Sequence, residues 1–342
     1  MVKLWKNNAV LWLFCAGIIL FGIFTNFFLS PLMNDIFTNG CITLVMVLGL
    51  QLFMGNSGIL NWSYMGFVAI GAFISGICSM PVNLKEQALP AMYPFLQQIN
   101  LPFPVAVLVG IAVAVLFAGI ISWPLMRLSD SAGVITQFAL LIVMNVILLQ
   151  WEQVTNGPRT FTMGAMKTTN LWIAMFAGIA VLIFVYFFRE TTLGLKLRAS
   201  REDRYATLAC GINIVAVRYQ SFLISAGLGA LSGSLWSHYI LSFTAKTFYM
   251  TEFFMILAMI IIGGSKTVTG VVSGCIIVTI VRKSLQQVEI GLQMTGMTEI
   301  TLAIVMIVFL IWRPNGIFGV KEPQIFNNPS DFKIKEQYEK TN

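Results

Sequence analysis

Between Arg189 and Arg218, six basic side chains (Arg189, Lys196, Arg198, Arg201, Arg204 and Arg218) stand against three carboxylates, Glu190, Glu202 and Asp203. The chemistry this allows is ion pairing and docking, not bond making. The single histidine, His238, has no catalytic partner at a recognisable spacing and reads as a helix-end anchor beside Trp236 and Tyr239. The run Gly263-Gly-Ser-Lys-Thr267 approaches a phosphate-binding loop. Ser265, however, stands where that motif needs the glycine before its lysine, and Ile260 takes the upstream glycine position. No ATP site is expected in this chain. No metal or disulfide framework is expected either, because Cys15, Cys41, Cys78, Cys210 and Cys275 are odd in number and scattered through apolar runs. Asp35, Glu252 and Glu299 fall at the ends of apolar segments, which leaves no evident mid-membrane carboxylate for a proton or sodium cycle. Energy for any transport must then come from elsewhere.

The elements that position these residues are membrane helices. Hydrophobic residues make up 57% of the chain and charged ones 10%, and the mean hydropathy is +0.83. Soluble domains carry charge at about 25% of positions. The net charge of +7 is gathered at segment ends and in one loop, without a nucleic-acid-reading motif, so topology and anionic lipid account for it. Ten apolar runs predict an all-α polytopic fold: 9–29, 35–54, 65–80, 103–125, 134–150, 171–188, 219–240, 253–262, 268–281 and 300–312. The first follows Lys3 and Lys6 and is long enough to be a retained span rather than a signal peptide. With those lysines inside, alternation puts Arg127, the basic stretch and the tail from Arg313 on the cytoplasmic side, with both termini. Arg282 and Lys283 would face outward and cast doubt on a boundary in the last third. The expected organisation is one permease domain, 1–320, with a cytoplasmic loop at 189–218, then a polar tail, 321–342.

Within the basic stretch, Ser200 and Asp203 read as a capping box, and Gly211 stands where a left-handed C-terminal cap would fall. A helix of about ten residues is implied, too short to be stable alone in water. Leu197, Tyr205, Leu208 and Ala209 could form its contact face. A solvated loop obeying the positive-inside rule would explain the charge as well, but the caps favour docking.

Gly55, Asn56, Ser57 and Gly58, continuing through Asn61, Ser63 and Tyr64, place polar and flexible residues between two apolar runs. Irregular backbone survives in a bilayer only where protein buries it or water reaches it, and such breaks often line transport paths. An ordinary cytoplasmic turn fits the same residues. Gln137 and Asn145 are further lining candidates, with helix–helix hydrogen bonding as the alternative. Gly229/Gly233 and Gly270/Gly274 are spaced for close helix packing.

Taken together, these residues resemble the Liv-type permease subunits of bacterial ABC importers, the branched-chain amino-acid transporter family. The likeness covers most of the chain. It runs through Gly49, Leu50, Leu52, Gly55, Gly58, Ile70, Gly71 and Ala72, and most specifically through Leu197 to Asp203 with Gly211 to Asn213. It continues through Ser225, Ala226, Gly233, His238, Tyr239, Gly263, Gly264, Gly270 and Gly274 to Arg313, Pro314, Gly316 and Gly319. The resemblance implies a permease of about ten helices in the bacterial inner membrane. Its partners would be a second, similar permease, two cytoplasmic ATPases that hold ATP and Mg, and an external solute-binding protein. Arg198, Arg201, Glu202, Asp203, Tyr205, Leu208 and Gly211 would then belong to the coupling helix that meets the ATPase. Ile59, Asn61, Ser63 and Tyr64 depart from the family's usual Gln, Ser, Gly and His, and Lys266 replaces a common Gly. The substrate is thus an amino acid or another small polar solute. A stand-alone secondary transporter or channel is the alternative from another class.

Overall fold

The computed structural model describes residues 9–28, 30–164, 167–292, 296–313, 316–317 and 319. Lys3, Lys6, Pro314 and the tail from 321 lie outside the described residues. The chain is almost wholly helical: α1 (Ala9–Phe28), α2 (Pro31–Ser57), α3 (Tyr64–Ser79), α4 (Val82–Ala88), α5 (Pro94–Gln97), α6 (Phe103–Leu125), α7 (Asp130–Gln150), α8 (Glu152–Thr155), α9 (Leu171–Phe188), α10 (Thr192–Glu202), α11 (Arg204–Ala209), α12 (Ile214–Ile240), α13 (Met250–Gly263), α14 (Val268–Leu292) and α15 (Met297–Trp312).

Among the described residues, each of the ten predicted apolar runs lies within a helix to within one residue at its ends, while fewer than ten of these helices meet the length of a full crossing. Among the described residues, seven helices (α1, α2, α6, α7, α9, α12 and α14) are long and apolar enough to cross a membrane. An eighth is reached if α3 and α4, bent by 119° at their junction, count as one span. The 14 residues of α13 and the 16 of α15 fall short because a rise of 1.5 Å per residue leaves them under a hydrocarbon core of about 30 Å. The run expected to stop at Val281 continues as α14 to Leu292, so Arg282 and Lys283 sit within a helix and not at its end. Arg282 reaches Glu252 of α13 at 2.9 Å. At the same end, Asp35 meets Lys167 at 3.4 Å and accepts from the Tyr239 hydroxyl at 3.0 Å. Arg282 and Lys167 at this end are each accompanied by a carboxylate.

The core is built around α12, which packs on α2, α3 and α6, while α9 and α14 pack on α2 and α13 packs on α14. Small residues set these distances. A Cβ at Gly233 would overlap the Val68 carbonyl, and one at Gly71 would overlap the backbone of Ala230, so α3 and α12 meet backbone to backbone. Gly229 abuts the Tyr64 ring, and Gly270 and Gly274 abut Gly263 and Met259, so both glycine pairs pack inside this chain. Ser225 and Ser234 of α12 donate to the carbonyls of Gly49 at 2.7 Å and Gly71 at 3.0 Å. His238 lies buried at the end of the same helix, with Nε2 2.7 Å from Ser79 Oγ and Nδ1 2.8 Å from the Ser234 carbonyl. It joins α12 to α3 as well as anchoring its own helix.

Connections at that end are folded rather than open. The Lys85 ammonium is fully buried and donates to the carbonyls of Leu96 and Ile99. A two-residue antiparallel pair, Phe161–Thr162 with Ser242–Phe243, is too short to leave a sequence pattern. It carries a cluster of Phe73, Phe161, Trp236, Phe243 and Phe248.

Gly233→Leu should destabilise the solubilised protein by about 1–3 kcal/mol or more through overpacking between α3 and α12. Gly291→Ala, where no atom lies within 4 Å of the added carbon, should leave the melting temperature unchanged. Thermal unfolding of the two variants in one detergent checks this.

Candidate functional site

The break after α2 is real and deeply packed. Gly58 closes the helix in the left-handed conformation at φ 75°, its N–H bonded to the Met54 carbonyl at 2.9 Å. The six residues 58–63 then lead into α3. Within the segment, Ser57 Oγ accepts from the Ile59 amide at 3.1 Å, and Ser63 Oγ donates to Asn61 Oδ1 at 2.8 Å. Asn56 donates to the Leu52 carbonyl at 2.8 Å. The Tyr64 hydroxyl donates to the Met46 carbonyl at 2.7 Å, stapling α3 back onto α2. Gly55, Asn56, Ser57, Asn61, Ser63, Tyr64 and Gln137 are all buried, whereas Gly58 is exposed.

Local polar satisfaction is incomplete. Gln51 Oε1, near the end of α2, is one buried atom without a partner among the described residues, and there are two more around the break. Among the described residues, Asn61 Nδ2 and Gln137 Oε1 have no hydrogen-bond partner. The Trp62 ring, next to Asn61, stands 5.1 Å from that of Phe138, next to Gln137. The break therefore faces α7 at the level of Gln137. Asn145, the other polar candidate on α7, instead donates to the Ala245 carbonyl at 3.4 Å, a helix-to-loop link.

The basic stretch forms two helices where one was expected. Thr191 caps α10, accepting from the Gly194 amide at 3.2 Å. Ser200 lies inside α10 and donates to the Leu197 carbonyl at 2.7 Å, so it is not the cap. Asp203 is: extended at φ −147°, it accepts from the Ala206 amide at 2.9 Å and starts α11. The far end matches expectation. Gly211 at φ 75° sends its amide to the Leu208 carbonyl at 2.9 Å, and Ile212 sends its amide to that of Thr207 at 3.3 Å, the paired bonds of a Schellman cap. Two successive caps could have been read from Thr191 and Asp203; the Ser200 spacing hid them.

The two helices face different ways. Leu197 is fully buried, while Tyr205 is 83% and Leu208 50% exposed, with Ala209 exposed as well. Arg201 turns inward, and its guanidinium donates to the carbonyl of Gly55 at the start of the break. Burial lowers the Arg201 pKa, partly offset by Glu202, yet a guanidinium stays charged at any working pH. Arg198 donates to the Arg189 carbonyl at 2.9 Å, and Glu202 lies 4.0 Å from Lys266. The Gly263–Thr267 run is the turn between α13 and α14. There the Ser265 carbonyl accepts from Gln51 at 3.5 Å. Gln51, one helical turn before Gly55, was not singled out from the sequence; its one signal there is an amide within an apolar run. Residues over 200 positions apart thus meet around one helix end.

Asp203→Ala should loosen α11 by about 1 kcal/mol, seen as roughly fivefold faster amide hydrogen exchange at Ala206, while Asp203→Asn should hold the wild-type rate.

A family model described as branched-chain amino acid transport system / permease component matches residues 32–312. The high-affinity branched-chain amino acid transport system permease protein LivM of Escherichia coli (strain K12) is 22% identical over 346 residues, which cover 92% of this chain and 76% of that protein. The probable branched-chain amino acid transport permease protein LivM of Methanocaldococcus jannaschii is 28% identical over 176 residues, covering 48% of this chain and 50% of its own length. The galactose/methyl galactoside import permease protein MglC of Haemophilus influenzae is 23% identical over 274 residues, or 75% and 80% of the two chains. No solved structure matches at a significant level. These relatives are transport permeases, not enzymes. With the model spanning nearly all the described helices, the chain belongs to the family of branched-chain amino acid transport system permease components.

Proposed function

We propose that this multi-pass permease subunit of an ATP-driven importer moves a small polar solute, by preference an amino acid, inward by alternating access. The observation that carries the reading is the attachment of an outward apolar surface to the helix break. Tyr205 and Leu208 stand exposed on α11, and the preceding helix ends with Arg201 bonded to Gly55. A separate ATPase subunit gripping Tyr205, Leu208 and the capped ends at Asp203 and Gly211 would move α11. Arg198, Arg201 and Glu202 would pass that motion to the break. A rigid element shifting against a packed core is a recognised route from a small displacement to a large one.

The solute path would run past Gly55, Asn56, Ser57, Gly58, Asn61, Ser63, Tyr64 and Gln137. The unused donor Asn61 Nδ2 and the unused acceptor Gln137 Oε1 suit a solute that both accepts and donates, as the carboxylate and ammonium of an amino acid do. In the assembly we infer, a second homologous permease completes the pathway, as in type II-like importers. Two ATPases would hold ATP and Mg, and an external binding protein would deliver the solute. Both termini would face the cytoplasm from a bacterial inner membrane, with residues 1–320 as one permease domain and 321–342 as its tail.

Tyr205→Ala combined with Leu208→Ala should lower uptake and ATPase co-purification by about tenfold or more, the scale of losing an aromatic anchor, with membrane insertion intact. Wild-type coupling in that variant would remove the docking assignment. In proteoliposomes lacking ATPase subunits, the permease should show no gradient-driven flux; such flux would favour a transporter acting alone.

A further inference from the structure

A pocket of about 390 Å³ opens beside the break, between α10 and the α13–α14 turn, and Gly55, Arg189, Arg198, Arg201, Glu202 and Lys266 line it. Four cations meet one carboxylate there. That carboxylate neutralises little: the Glu202 side chain is 74% exposed and its contact with Lys266 is 4.0 Å, an ion pair of small worth. Arg198 spends one nitrogen on the Arg189 carbonyl at 2.9 Å and stands 3.5 Å from Glu190, but its Nε is buried without an acceptor among the described residues. Like charges gathered from three separate elements repel one another in a partly desolvated space, so the arrangement calls for a counter-anion. A carboxylate offers two oxygens in one plane. A phosphate offers several around a tetrahedron and can reach guanidinium and ammonium groups arriving from different directions.

We propose that this pocket is a binding site for a phosphate group, supplied by an anionic phospholipid headgroup at the membrane surface or by a free phosphate. Occupancy would tie the C-terminal end of α9 and α10 to the α13–α14 turn. It would hold Arg201 against Gly55 and make the helix break sensitive to the anion. The site shares Gly55 with the proposed solute path, but its test reads anion binding and needs neither ATPase subunits nor transport, so its failure is distinguishable from failure of the importer reading.

The test uses the full chain in phosphatidylcholine nanodiscs, with thermal unfolding as the readout. In one arm, inorganic phosphate is titrated against chloride at matched ionic strength. In the other, the phosphatidylglycerol fraction is raised stepwise without phosphate. The melting temperature should rise in at least one arm. Lys266→Gln and Arg198→Gln should each raise the midpoint concentration about tenfold, and Lys266→Arg should restore it. A response confined to the first arm assigns a soluble phosphate, one confined to the second a lipid headgroup, and a response in both assigns the shared chemistry. The proposal is overturned if neither arm moves the wild type beyond chloride, or if Lys266→Gln, altered at a partly exposed side chain, responds as the wild type does.

Discussion

Backbone that leaves its helix inside a hydrocarbon layer must find its hydrogen bonds within the protein, because each unsatisfied amide there costs several kcal/mol. The segment between α2 and α3 lies beside the basic helices, and buried polar groups in it likewise find partners within the protein. Ser57 takes the Ile59 amide, and Ser63 and Asn61 hold each other. Arg201, arriving from a helix 146 positions along the chain, satisfies the Gly55 carbonyl. Because this last bond comes from α10, the state of the break and the position of the basic helices are one structural variable. Moving α10 means withdrawing the Arg201 donor from the Gly55 carbonyl.

The second organising constraint is close backbone contact. Lipid tails give helices no hydrophobic reason to associate, so van der Waals contact and inter-helix hydrogen bonds must do so. In α12, glycines at 229 and 233 let α3 approach until Val68 and Tyr64 lie against the α12 backbone, and serines at 225 and 234 place hydroxyls on the carbonyls this approach uncovers. The result is a rigid inner group of α2, α3, α6 and α12. Against it, α10 is attached by the buried Leu197 and by the Arg201–Gly55 bond, and the α13–α14 turn by the buried Ile260, Ile262 and Val268 that flank it and by the Gln51–Ser265 bond. A stiff core with such attachments at its basic end is suited to transmitting displacement without losing its fold.

Much of this was legible from residues alone. Apolar runs located every long helix, since length and hydropathy are local properties. The left-handed cap at Gly211 was legible too, because a glycine after a helix has few other uses. The N-terminal cap was misplaced at Ser200. A serine three residues before Asp203 fits the capping spacing, but inside a continuing helix its hydroxyl turns back to the Leu197 carbonyl, and Asp203 takes the cap. The short apolar runs were read as crossings because sequence shows composition and not bend. The 119° turn between α3 and α4 and the continuation of α14 past Arg282 depend on what each helix packs against.

The sequence by itself determined that this chain is a bundle of membrane helices with a capped basic interruption and a polar break. Those properties follow from hydropathy, helix-end chemistry and motif spacing, each settled within a few residues. Only the tertiary structure decided that the break, the basic helix and the α13–α14 turn meet at one place. It also decided that Arg201 points inward while Tyr205 points outward, and which glycines face backbone. Such facts depend on contacts between residues far apart in the chain: the glycine spacing marks which helix face packs closely, but not which helix it meets.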